Sequence, residues 1–592
     1  MRLRACLVFG LMTIQSLLEL GFILTLTGMG LAVGDPDALR ASIFYRILFQ
    51  LLPGLGAWAA QPHHLLLFSG LVVIAVSATK NYMSYACARG IALLGQDISL
   101  SVGGEIMHRY LHMDYAWHLS TAAGSTFQVM TWRGVLGAML THLLGIYSYA
   151  LTIFVLFVSL IGHEPLLTCL VLGVTGTVGV ILYTSLRKNV DVNAQAIADS
   201  DSRENRALMQ ATGGIREILI HHQQEHFLER FRAGATAGRL PRSFINVAAT
   251  LPSWILEVTG FVVVVLAVLF MVYVQHADRA RIAEAMALLI LTAWRVLPFF
   301  NRIVSLHIEV RALMPRAIAV LDLLEKLRAT QARARPEPDP DFRFPRTITL
   351  EDICFRYPGA EKNALEHVSL TLHRGEKVGL IGPSGGGKST LAGVVSGLLP
   401  PREGRILLDG RPMTPAQGAA LAMQTGFVPQ NPFLFSGTLA ENIAFGSGTH
   451  GGDAERIRKA CRLAAIDFLD AHPLGLERPI GDNGEGLSGG QAQRVSIARA
   501  LYVEPQLIIF DEATSALDQA NESSIQCTLE NIGKDITCIT IAHRLSTVEQ
   551  CDRIVWFDNG QIVMQGKPDE VLGAYRNAIG KRQLSGENSA DA

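Results

Sequence analysis

Long apolar runs separated by short polar segments dominate the first half of the chain. They cover residues 7–33, 65–88, 134–161, 166–186, 255–274 and 282–297. Most are close to or above the about 20 residues that an α-helix needs to cross a bilayer core. The last run is shortened by Arg295 and Pro298. The pattern therefore predicts a membrane domain with six spanning helices.

The first apolar run favours a retained spanning helix over a secretory signal peptide. Arg2 and Arg4 precede it, and a signal peptide would also begin with positive charge. The apolar core of a signal peptide, however, is about 7–15 residues long. Because residues 7–33 form a much longer run, we expect this segment to remain in the membrane.

Basic residues predict the orientation of the helices. Nine arginine and lysine residues lie between the fourth and fifth runs, whereas Glu164 is the one charged residue in the connection 162–165 between the third and fourth runs. Lysine and arginine are enriched in cytoplasmic loops. The first segment is therefore expected in the cytoplasm and the second outside, and both termini then lie in the cytoplasm.

Three polar segments of this half carry apolar residues at helical spacing. Residues 89–117 and 193–232 are predicted to continue membrane helices below the bilayer, with chain reversals near 112–120 and 207–218. Residues 40–55, on the outer side, contain two arginines. This last segment is either a helix on the membrane surface or a loop helix packed on protein, and the sequence leaves both open.

A change in composition predicts the domain boundary. Residues 329–346 are rich in proline and charge without apolar periodicity, which is typical of an extended linker. Strand and helix patterns alternate beyond it, as in a soluble α/β domain. We expect an all-α six-helix transmembrane domain over 1–328, an α/β P-loop domain over 347–580 and a disordered tail over 581–592.

Composition supports the membrane assignment and gives no support for a nucleic-acid-binding, disulfide-rich or zinc-binding protein. The chain is 49% hydrophobic and 17% charged, whereas soluble domains carry about 25% charged residues. A formal net charge of −1 gives no support for a nucleic-acid partner. The eight cysteines lack C-x-x-C spacing, which indicates isolated, mostly buried thiols and not a disulfide framework or a zinc site.

A glycine-rich loop in the second half predicts a phosphate site. Residues 382–390 read GPSGGGKST and fit G-x-x-x-x-G-K-[ST], with an apolar strand before them and a helical pattern after them. The glycines allow backbone N–H groups to face a phosphate, and the start of the following helix faces the same anion. The predicted nucleotide contacts are Gly382, Ser384, Gly385, Gly386, Gly387, Lys388, Ser389 and Thr390.

The expected ligands of this loop are ATP and Mg²⁺. Lys388 can reach the β- and γ-phosphates, and the Ser389 hydroxyl can ligate the metal. Gln430 can reach both the metal and the attacking water. Tyr357, about 25 residues before the loop, can stack its ring on adenine.

Two strand ends carry the predicted catalytic residues. The apolar run 507–510 ends in Asp511, which suits Mg²⁺ coordination, and Glu512, which suits polarising the attacking water. His543 follows the strand 537–541 and can contact the γ-phosphate while it holds Glu512 and water in line. The predicted chemistry is phosphoryl transfer to water, in which positioning and charge neutralisation do the work.

The segment LSGGQ at 487–491 predicts a second anion site. Ser488, Gly489, Gly490 and Gln491 open a helix, and a helix N-terminus attracts anions. A second phosphate site in one chain is useful only if it faces a second nucleotide. The segment is therefore expected to complete the site of a second copy of the chain, which predicts a homodimer.

Over about residues 348–572, the chain resembles the nucleotide-binding domain of ATP-binding cassette transporters. The resemblance rests on the order of the motifs, which are the phosphate loop, Gln430, LSGGQ, Asp511-Glu512 and His543. Asp518, in the segment that directly follows Glu512, is a further predicted nucleotide contact. The first half is similar to the six-helix membrane domain of the exporters. The resemblance implies that the reversals near 112–120 and 207–218 are coupling helices, the second one reaching the partner subunit.

Within that family, the chain resembles the flippases of lipid-linked oligosaccharides in bacterial protein glycosylation. The residues that carry this resemblance are 294–303, Leu256-Glu257 with Gly260-Phe261, the segment 40–55, and 481–486. It implies a lipid-linked glycan with a pyrophosphate headgroup as cargo and a place in the bacterial inner membrane. Such exporters usually carry an elbow helix before the first span, whereas only residues 1–5 precede it here, so either the true start lies upstream or the elbow is missing.

Charged residues inside the apolar half are candidates for cargo contacts, because a charge at the bilayer centre costs a few kcal/mol. Arg295 and Arg302 are seven residues apart and share a helix face. Arg302 can instead snorkel to the cytoplasmic interface. Lys80 and Arg89 are further candidates, and Glu257 is a possible intramembrane partner of Arg295.

Three functions remain open from the sequence. The first is an ATP-driven homodimeric flippase or exporter of a lipid-linked oligosaccharide, in contact with membrane lipid. The second is a general lipid, drug or peptide exporter. The third is a regulatory ATP-binding protein with little turnover, which Glu512 and His543 disfavour because such chains usually lack one of the two.

Overall fold

The computed structural model describes residues 2–51, 53–59, 61–121, 123–161, 165–273, 279–330, 337–445, 452–469, 472–481, 484–511, 535–542 and 544–584. The chain forms two compact units. The first comprises Met1–Leu111 and Ala122–Thr330, and the second comprises His112–Thr121 and Gln331–Ala592.

The first unit is helical, and the chain passes through it in long helices joined by short ones. In chain order the helices up to the linker are α1 (Arg2–Gly34), α2 (Pro36–Ala41), α3 (Ile43–Leu51), α4 (Pro53–Trp58), α5 (Pro62–Leu111), α6 (Tyr115–Ser120), α7 (Ala123–Thr131), α8 (Gly134–Ile161), α9 (Pro165–Gly213), α10 (Ile215–Ile220), α11 (Gln224–Tyr273) and α12 (Arg279–Thr330). Of these, α6 belongs to the second unit.

Within the described part of the chain, four helices are long and apolar enough to cross a membrane. They are Arg2–Gly34, Pro62–Leu111, Thr126–Val158 and Gln224–Tyr273. These contain the first and second predicted spans and all but the last residues of the third and fifth. The fourth and sixth predicted spans fall on α9 and α12, partly on residues whose side chains lie outside the described set, so the count of six stays a prediction.

The helices continue well beyond the length that a bilayer requires. Helices α5, α9, α11 and α12 contain 49 to 52 residues each. At about 1.5 Å per residue each is about 75 Å long, more than twice the hydrocarbon thickness. Pro298 lies inside α12 and does not end it.

Both predicted chain reversals are built from one short helix. The first reversal contains α6, and Ala116 packs against the core of the second unit to which α6 belongs. The second reversal contains α10, a few residues later than predicted, because α9 continues to Gly213. Their role as coupling helices stays a prediction.

The outer segment between the first two long helices packs on protein. Leu39 and Tyr45 are buried against Ala32, Ala59 and Leu65. This contact favours the loop-helix alternative for residues 40–55 over a helix that lies on the membrane surface.

Glycines bring two pairs of long helices into backbone contact. A Cβ on Gly137 of α8 would lie 2.2 Å from the Gly95 carbonyl oxygen of α5 and 2.1 Å from the Ser99 hydroxyl. On the second pair, a Cβ on Gly234 of α11 would lie 3.0 Å from the Glu204 backbone nitrogen of α9, and the Ser200 hydroxyl donates to the Gly234 carbonyl at 2.8 Å. The absence of a side chain at these crossings therefore sets how closely the helices pack.

The second unit is an α/β domain. Its strands are β1 (Thr347–Phe355), β2 (Leu365–His373), β3 (Lys377–Ile381), β4 (Glu403–Leu408), β5 (Arg411–Pro412), β6 (Thr425–Val428), β7 (Gly437–Thr438), β8 (Pro479–Ile480), β9 (Leu507–Asp511), β10 (Thr537–Ile541), β11 (Arg553–Asp558) and β12 (Gln561–Gly566). Its helices are α13 (Lys388–Val395), α14 (Pro415–Met423), α15 (Leu439–Ile443), α16 (Ala454–Leu463), α17 (Gly489–Tyr502) and α18 (Pro568–Leu584), with 3₁₀ turns at Gly475–Glu477 and Leu545–Thr547.

Among the described strands, the largest sheet has the order β12-β11-β3-β10-β9-β6, and only β12 runs antiparallel to its neighbour. A second sheet, β2-β1-β4-β5, is antiparallel, and β7 pairs with β8. Parallel strands covered on both faces are apolar throughout, and β9 and β10 fit this pattern with buried residues over almost their whole length.

Three hydrophobic cores lie in the described part of this unit, and the two largest are the sheet core and the helical core. The sheet core includes Leu350, Leu380, Leu391, Val555 and Phe557. The helical core packs α15, α16 and α17 against strands β6, β9 and β10 of the sheet. It includes Val428, Leu434, Ile443, Ile457, Val495 and Phe510. The two cores lie on opposite faces of β9, since Ile508 and Phe510 belong to the helical core and Leu507 and Ile509 belong to the sheet core.

The Gly95–Gly137 crossing gives a stability prediction. Gly137→Ala should destabilise the protein by about 1–3 kcal/mol, because the new methyl group overlaps backbone atoms that cannot move aside. Gly104→Ala on α5 is the control, because a Cβ there meets nothing within 4 Å. Thermal unfolding in detergent checks both, and equal midpoints for the two variants would contradict the backbone contact.

Candidate nucleotide site

The predicted phosphate loop lies at the carboxyl end of β3, in the middle of the parallel sheet. The strand register places Leu380 beside Ile541, and Ile541 beside Asp511. Parallel strands end at one edge of a sheet, and ligands of such sheets bind at that edge. The topology therefore brings the loop 382–390 and the end of β9 to one place, as the sequence motifs require.

Glycine is sterically required at both ends of the loop. Gly382 has φ +141°, and a Cβ on it would lie 2.0 Å from the Phe557 carbonyl oxygen. Gly387 has φ +103° and caps the start of α13. The Gly560 N–H also donates to the Gly386 carbonyl at 3.0 Å. The turn between β11 and β12 thus fixes the loop from outside, a contact that the motif itself does not reveal.

The Lys388 side chain lies within the loop. Its ammonium donates to the carbonyls of Gly382 at 2.9 Å and Pro383 at 2.7 Å, and the residue is 5% exposed. Phosphate oxygens are charged acceptors and form stronger hydrogen bonds than neutral carbonyls. The ammonium is therefore held where an arriving phosphate can compete for it.

Two predicted metal ligands are in direct contact. The Ser389 hydroxyl donates to Asp511 Oδ1 at 3.0 Å. A hydroxyl and a carboxylate are the hard oxygen donors that Mg²⁺ prefers, usually with water and substrate phosphates filling the other positions. The donor set at this strand edge therefore fits Mg²⁺.

Tyr357 reaches the loop through its hydroxyl group, a contact that the sequence does not indicate. Its oxygen lies 3.0 Å from Thr390 Oγ1, and its ring meets Phe355 edge-on at 5.0 Å between centroids. Tyr357 is partly buried against the sheet core. Stacking of this ring on adenine stays a prediction.

The third predicted metal contact, Gln430, lies just beyond the end of the next strand of the sheet. It follows β6, which pairs with β9, by two residues, and its side chain is exposed. Glu512, Asp518 and His543 lie outside the described residues. In the sequence, Glu512 directly follows β9 and His543 comes two residues after β10. The roles of all three residues stay predictions.

The LSGGQ segment forms the start of α17 as predicted. Ser488 caps the helix: its hydroxyl accepts from the Gln491 N–H at 3.2 Å, and the Gln491 side-chain oxygen accepts from the Ser488 N–H at 3.0 Å. This reciprocal capping stabilises the first turn. Ser488 and Gly489 are exposed, and Gly490 is half-buried. The helix start is thus available to a second molecule.

The candidate cargo residues have different surroundings. Lys80 is buried, and its ammonium pairs with Glu19 at 3.2 Å and lies 5.0 Å from the Phe22 ring centroid. Arg89 is exposed.

Arg302 is half-exposed and lies in a mixed-charge cluster. Its guanidinium is 3.4 Å from Glu309 Oε1, and His142 of α8 is 3.4 Å from the other oxygen of the same carboxylate. The Arg295 side chain lies outside the described residues, so its predicted pairing with Glu257 is not described either.

Comparison with known proteins agrees with this geometry. Residues 365–515 match the family model described as ABC transporter. The fold is similar to a bacterial Atm1-family ABC exporter with ATP bound, with a TM-score of 0.78, 21% identity and coverage of 98% of this chain and 99% of that one. A helical membrane domain followed by an α/β nucleotide-binding domain is therefore the fold, as predicted.

Curated relatives are similar along nearly the whole chain. The ATP-dependent lipid A-core flippase of Cupriavidus metallidurans is 29% identical over 560 residues, which is 93% of this chain and 91% of that protein. The protein of the same name from Salmonella typhimurium is 29% identical over 533 residues, 86% of this chain and 87% of that one. The one from Alkalilimnicola ehrlichii is 36% identical over 372 residues, 61% of each chain.

The Ser389–Asp511 contact predicts a change in metal dependence. Ser389→Ala should raise the Mg²⁺ concentration for half-maximal ATPase activity about tenfold, because one oxygen ligand is lost. Ser396→Ala is the control, since that hydroxyl donates to the Gly393 carbonyl of its own helix end. Titration of ATPase activity with Mg²⁺ checks both, and an unchanged midpoint in Ser389→Ala would exclude Ser389 as a ligand.

Proposed function

We infer that this chain, an ATPase-coupled membrane transporter that joins an ATP-binding cassette to a membrane domain of the exporter fold, flips or exports an amphipathic lipid with an anionic saccharide headgroup. The extent of the likeness to the lipid A-core flippases carries this proposal. A match confined to the cassette would be compatible with any cargo. The match over 93% of the chain includes the membrane half, where the cargo must bind.

The lipid-linked oligosaccharide remains the second candidate for the cargo. Residues 294–303, in α12, favour it through the resemblance given above. Both candidates share the same chemistry, which is an acyl or prenyl tail, phosphate groups and sugars. A cavity for either needs cations at the headgroup level, and Arg302 and Arg89 are the exposed arginines among the candidates that the structure describes.

Hydrolysis is proposed to follow from the residues around the loop 382–390. Lys388 and the loop N–H groups would hold the β- and γ-phosphates, while Ser389, Asp511 and Gln430 would coordinate Mg²⁺. Glu512 polarises the attacking water and His543 keeps it in line with the γ-phosphate. The transition state spreads negative charge over the phosphoryl oxygens. Most of the rate gain would therefore come from the oriented positive groups around them, which are the Lys388 ammonium, the loop N–H groups and Mg²⁺.

A second copy of the chain is proposed as the partner. The exposed start of α17 supports this, because its N–H groups can meet the γ-phosphate of a nucleotide bound by the other copy. Two ATP molecules would then lie between two cassettes. The proposed location is the bacterial inner membrane, with the cassette and both termini in the cytoplasm.

Reconstitution in liposomes tests the function. A lipid A-core glycolipid should move between leaflets only with Mg²⁺-ATP, and Glu512→Gln should abolish this movement because water is no longer polarised. Undecaprenyl-pyrophosphate glycan and hydrophobic drugs, assayed in parallel, separate the cargo classes. Faster movement of the pyrophosphate glycan would favour the second candidate. Stimulation by drugs alone, or equal rates in wild type and Glu512→Gln, would refute lipid transport.

Substitution of the α12 arginines tests the cargo site. Arg302→Ala and Arg295→Ala should each lower the rate of lipid movement about tenfold, because a charge-assisted hydrogen bond to the headgroup is lost. Basal ATPase activity should change much less. Arg203→Ala is the control, since it removes an exposed arginine from α9. If ATPase activity and lipid movement fall together, the arginine has a structural role instead.

A further inference from the structure

Arg302, the exposed arginine of α12 among the proposed cargo contacts, has a carboxylate within reach on its own helix. Its Nη1 lies 3.4 Å from Glu309 Oε1. Charge-assisted hydrogen bonds of this kind are usually about 2.7–2.9 Å long. Because this contact is longer and the Arg302 side chain is 50% exposed, the pair is weak, and a competing anion can separate it.

Helix α8 supplies a second partner for the same carboxylate. His142 Nδ1 lies 3.4 Å from Glu309 Oε2, so the two oxygens of Glu309 have different partners. The carboxylate therefore keeps a polar neighbour if Arg302 turns away from it. Loss of the arginine contact would not leave this partly buried group without a partner.

The helix pair that carries this cluster is closely packed. Phe299 of α12 stacks on Tyr149 of α8, with 5.8 Å between the ring centroids. A Cβ on Gly145 of α8 would lie 3.0 Å from Leu306 Cδ1 of α12. These contacts fix the register of the two helices, so Glu309 can change partner only by rotation of its side chain.

In the proposed orientation, Glu309 lies on the cytoplasmic side of Arg302. The sixth predicted span ends at residue 297. At about 1.5 Å per residue, Arg302 is about 8 Å and Glu309 about 18 Å beyond that end. A lipid headgroup in the inner leaflet approaches the guanidinium from the membrane side. The guanidinium is then placed between two anions, the carboxylate of its own helix and the phosphate of the lipid.

A transporter must release the anion that it binds. A guanidinium forms strong, often bidentate hydrogen bonds with phosphate. A site that passes an ion across a membrane must nevertheless bind it weakly enough to let it leave. Because Arg302 is fixed to α12, release is faster where a second anion can take the place of the phosphate. Glu309 is close enough to do this.

We propose that Glu309 is a release residue for the cargo: its carboxylate competes with the headgroup phosphate for Arg302 and returns to the arginine when the phosphate leaves. While phosphate occupies Arg302, the carboxylate stays with His142. The inference rests on the proposed transport of an anionic lipid, and it assigns a role to a residue that contacts the arginine and not the lipid. Glu309 thus weakens headgroup binding and speeds headgroup dissociation.

Binding and transport should change in opposite directions when the carboxylate is removed. Glu309→Gln should tighten binding of a fluorescent lipid A-core glycolipid to the full-length protein in detergent about fivefold, because the competing charge is gone. At saturating lipid, the same variant should move that lipid between liposome leaflets about fivefold more slowly, since differences in affinity lie mostly in the dissociation rate. A residue with a purely structural role would weaken both.

Two further lipids identify the group that competes with Glu309. The dephosphorylated form of the same glycolipid should bind wild type and Glu309→Gln with less than about a twofold difference in Kd, because it brings no competing anion. Undecaprenyl-pyrophosphate glycan, assayed in parallel, distinguishes a pyrophosphate headgroup from the phosphates of lipid A. A fivefold gain in affinity with either phosphorylated lipid supports the proposal.

Three variants control the design. In an Arg302→Ala background, Glu309→Gln should change Kd less than about twofold, because the two residues act through one another. Glu309→Asp is too short to keep the contact with Arg302 and should also tighten binding, which tests the proposal even if Glu309→Gln does not fold. Asp191→Asn is the matched control, since it removes the carboxylate that pairs with Arg311 of the same helix at 2.7 Å. It should leave binding and lipid movement unchanged.

Two results would overturn the proposal. One is unchanged or weaker binding in both Glu309→Gln and Glu309→Asp, and the other is an equal gain in affinity with and without Arg302. In either case, slower lipid movement in Arg302→Ala would still support the cargo contact, and the proposed function would stand. If wild type binds neither phosphorylated lipid, the proposed function fails and this inference fails with it.

Discussion

The contact between the phosphate loop and the turn that follows β11 is the constraint on which the nucleotide site depends. A Cβ at Gly382 would lie 2.0 Å from the Phe557 carbonyl, and the Gly560 N–H donates to Gly386. With β3 between two parallel neighbours, the loop has little freedom to change shape. An anion site of backbone N–H groups is effective when those groups are already oriented, since no reorganisation is then needed when phosphate binds.

A different constraint shapes the membrane unit. Without water, every backbone polar group in a bilayer must be satisfied within its own segment, which leaves helices as the solution for this chain. Close crossings such as Gly95–Gly137 then decide how the helices pack, because lipid offers no hydrophobic drive for association. The buried pair of Glu19 and Lys80 shows how charge is accommodated, at a site where loss of one partner would leave the other uncompensated.

The α/β unit is packed on both faces of one sheet. Residues Leu507 and Ile509 of β9 belong to the sheet core, and Ile508 and Phe510 of the same strand belong to the helical core around α17. Hydrogen bonds from Gln493 to the Pro429 carbonyl and from Arg499 to the Phe433 carbonyl join α17 to the backbone on both sides of Gln430.

The sequence by itself determined the parts whose signal is local. Apolar runs of bilayer length, the strand–loop–helix around Lys388 and the LSGGQ cap depend on neighbouring residues, so their helices, loop and order along the chain were predictable. Only the tertiary structure decided contacts between distant segments: Ser389 with Asp511, Tyr357 with Thr390, Lys80 with Glu19, and Arg499 with Asn442. The physical reason is that a side chain's partner is set by strand register and helix crossing, and these depend on the packing of the whole chain.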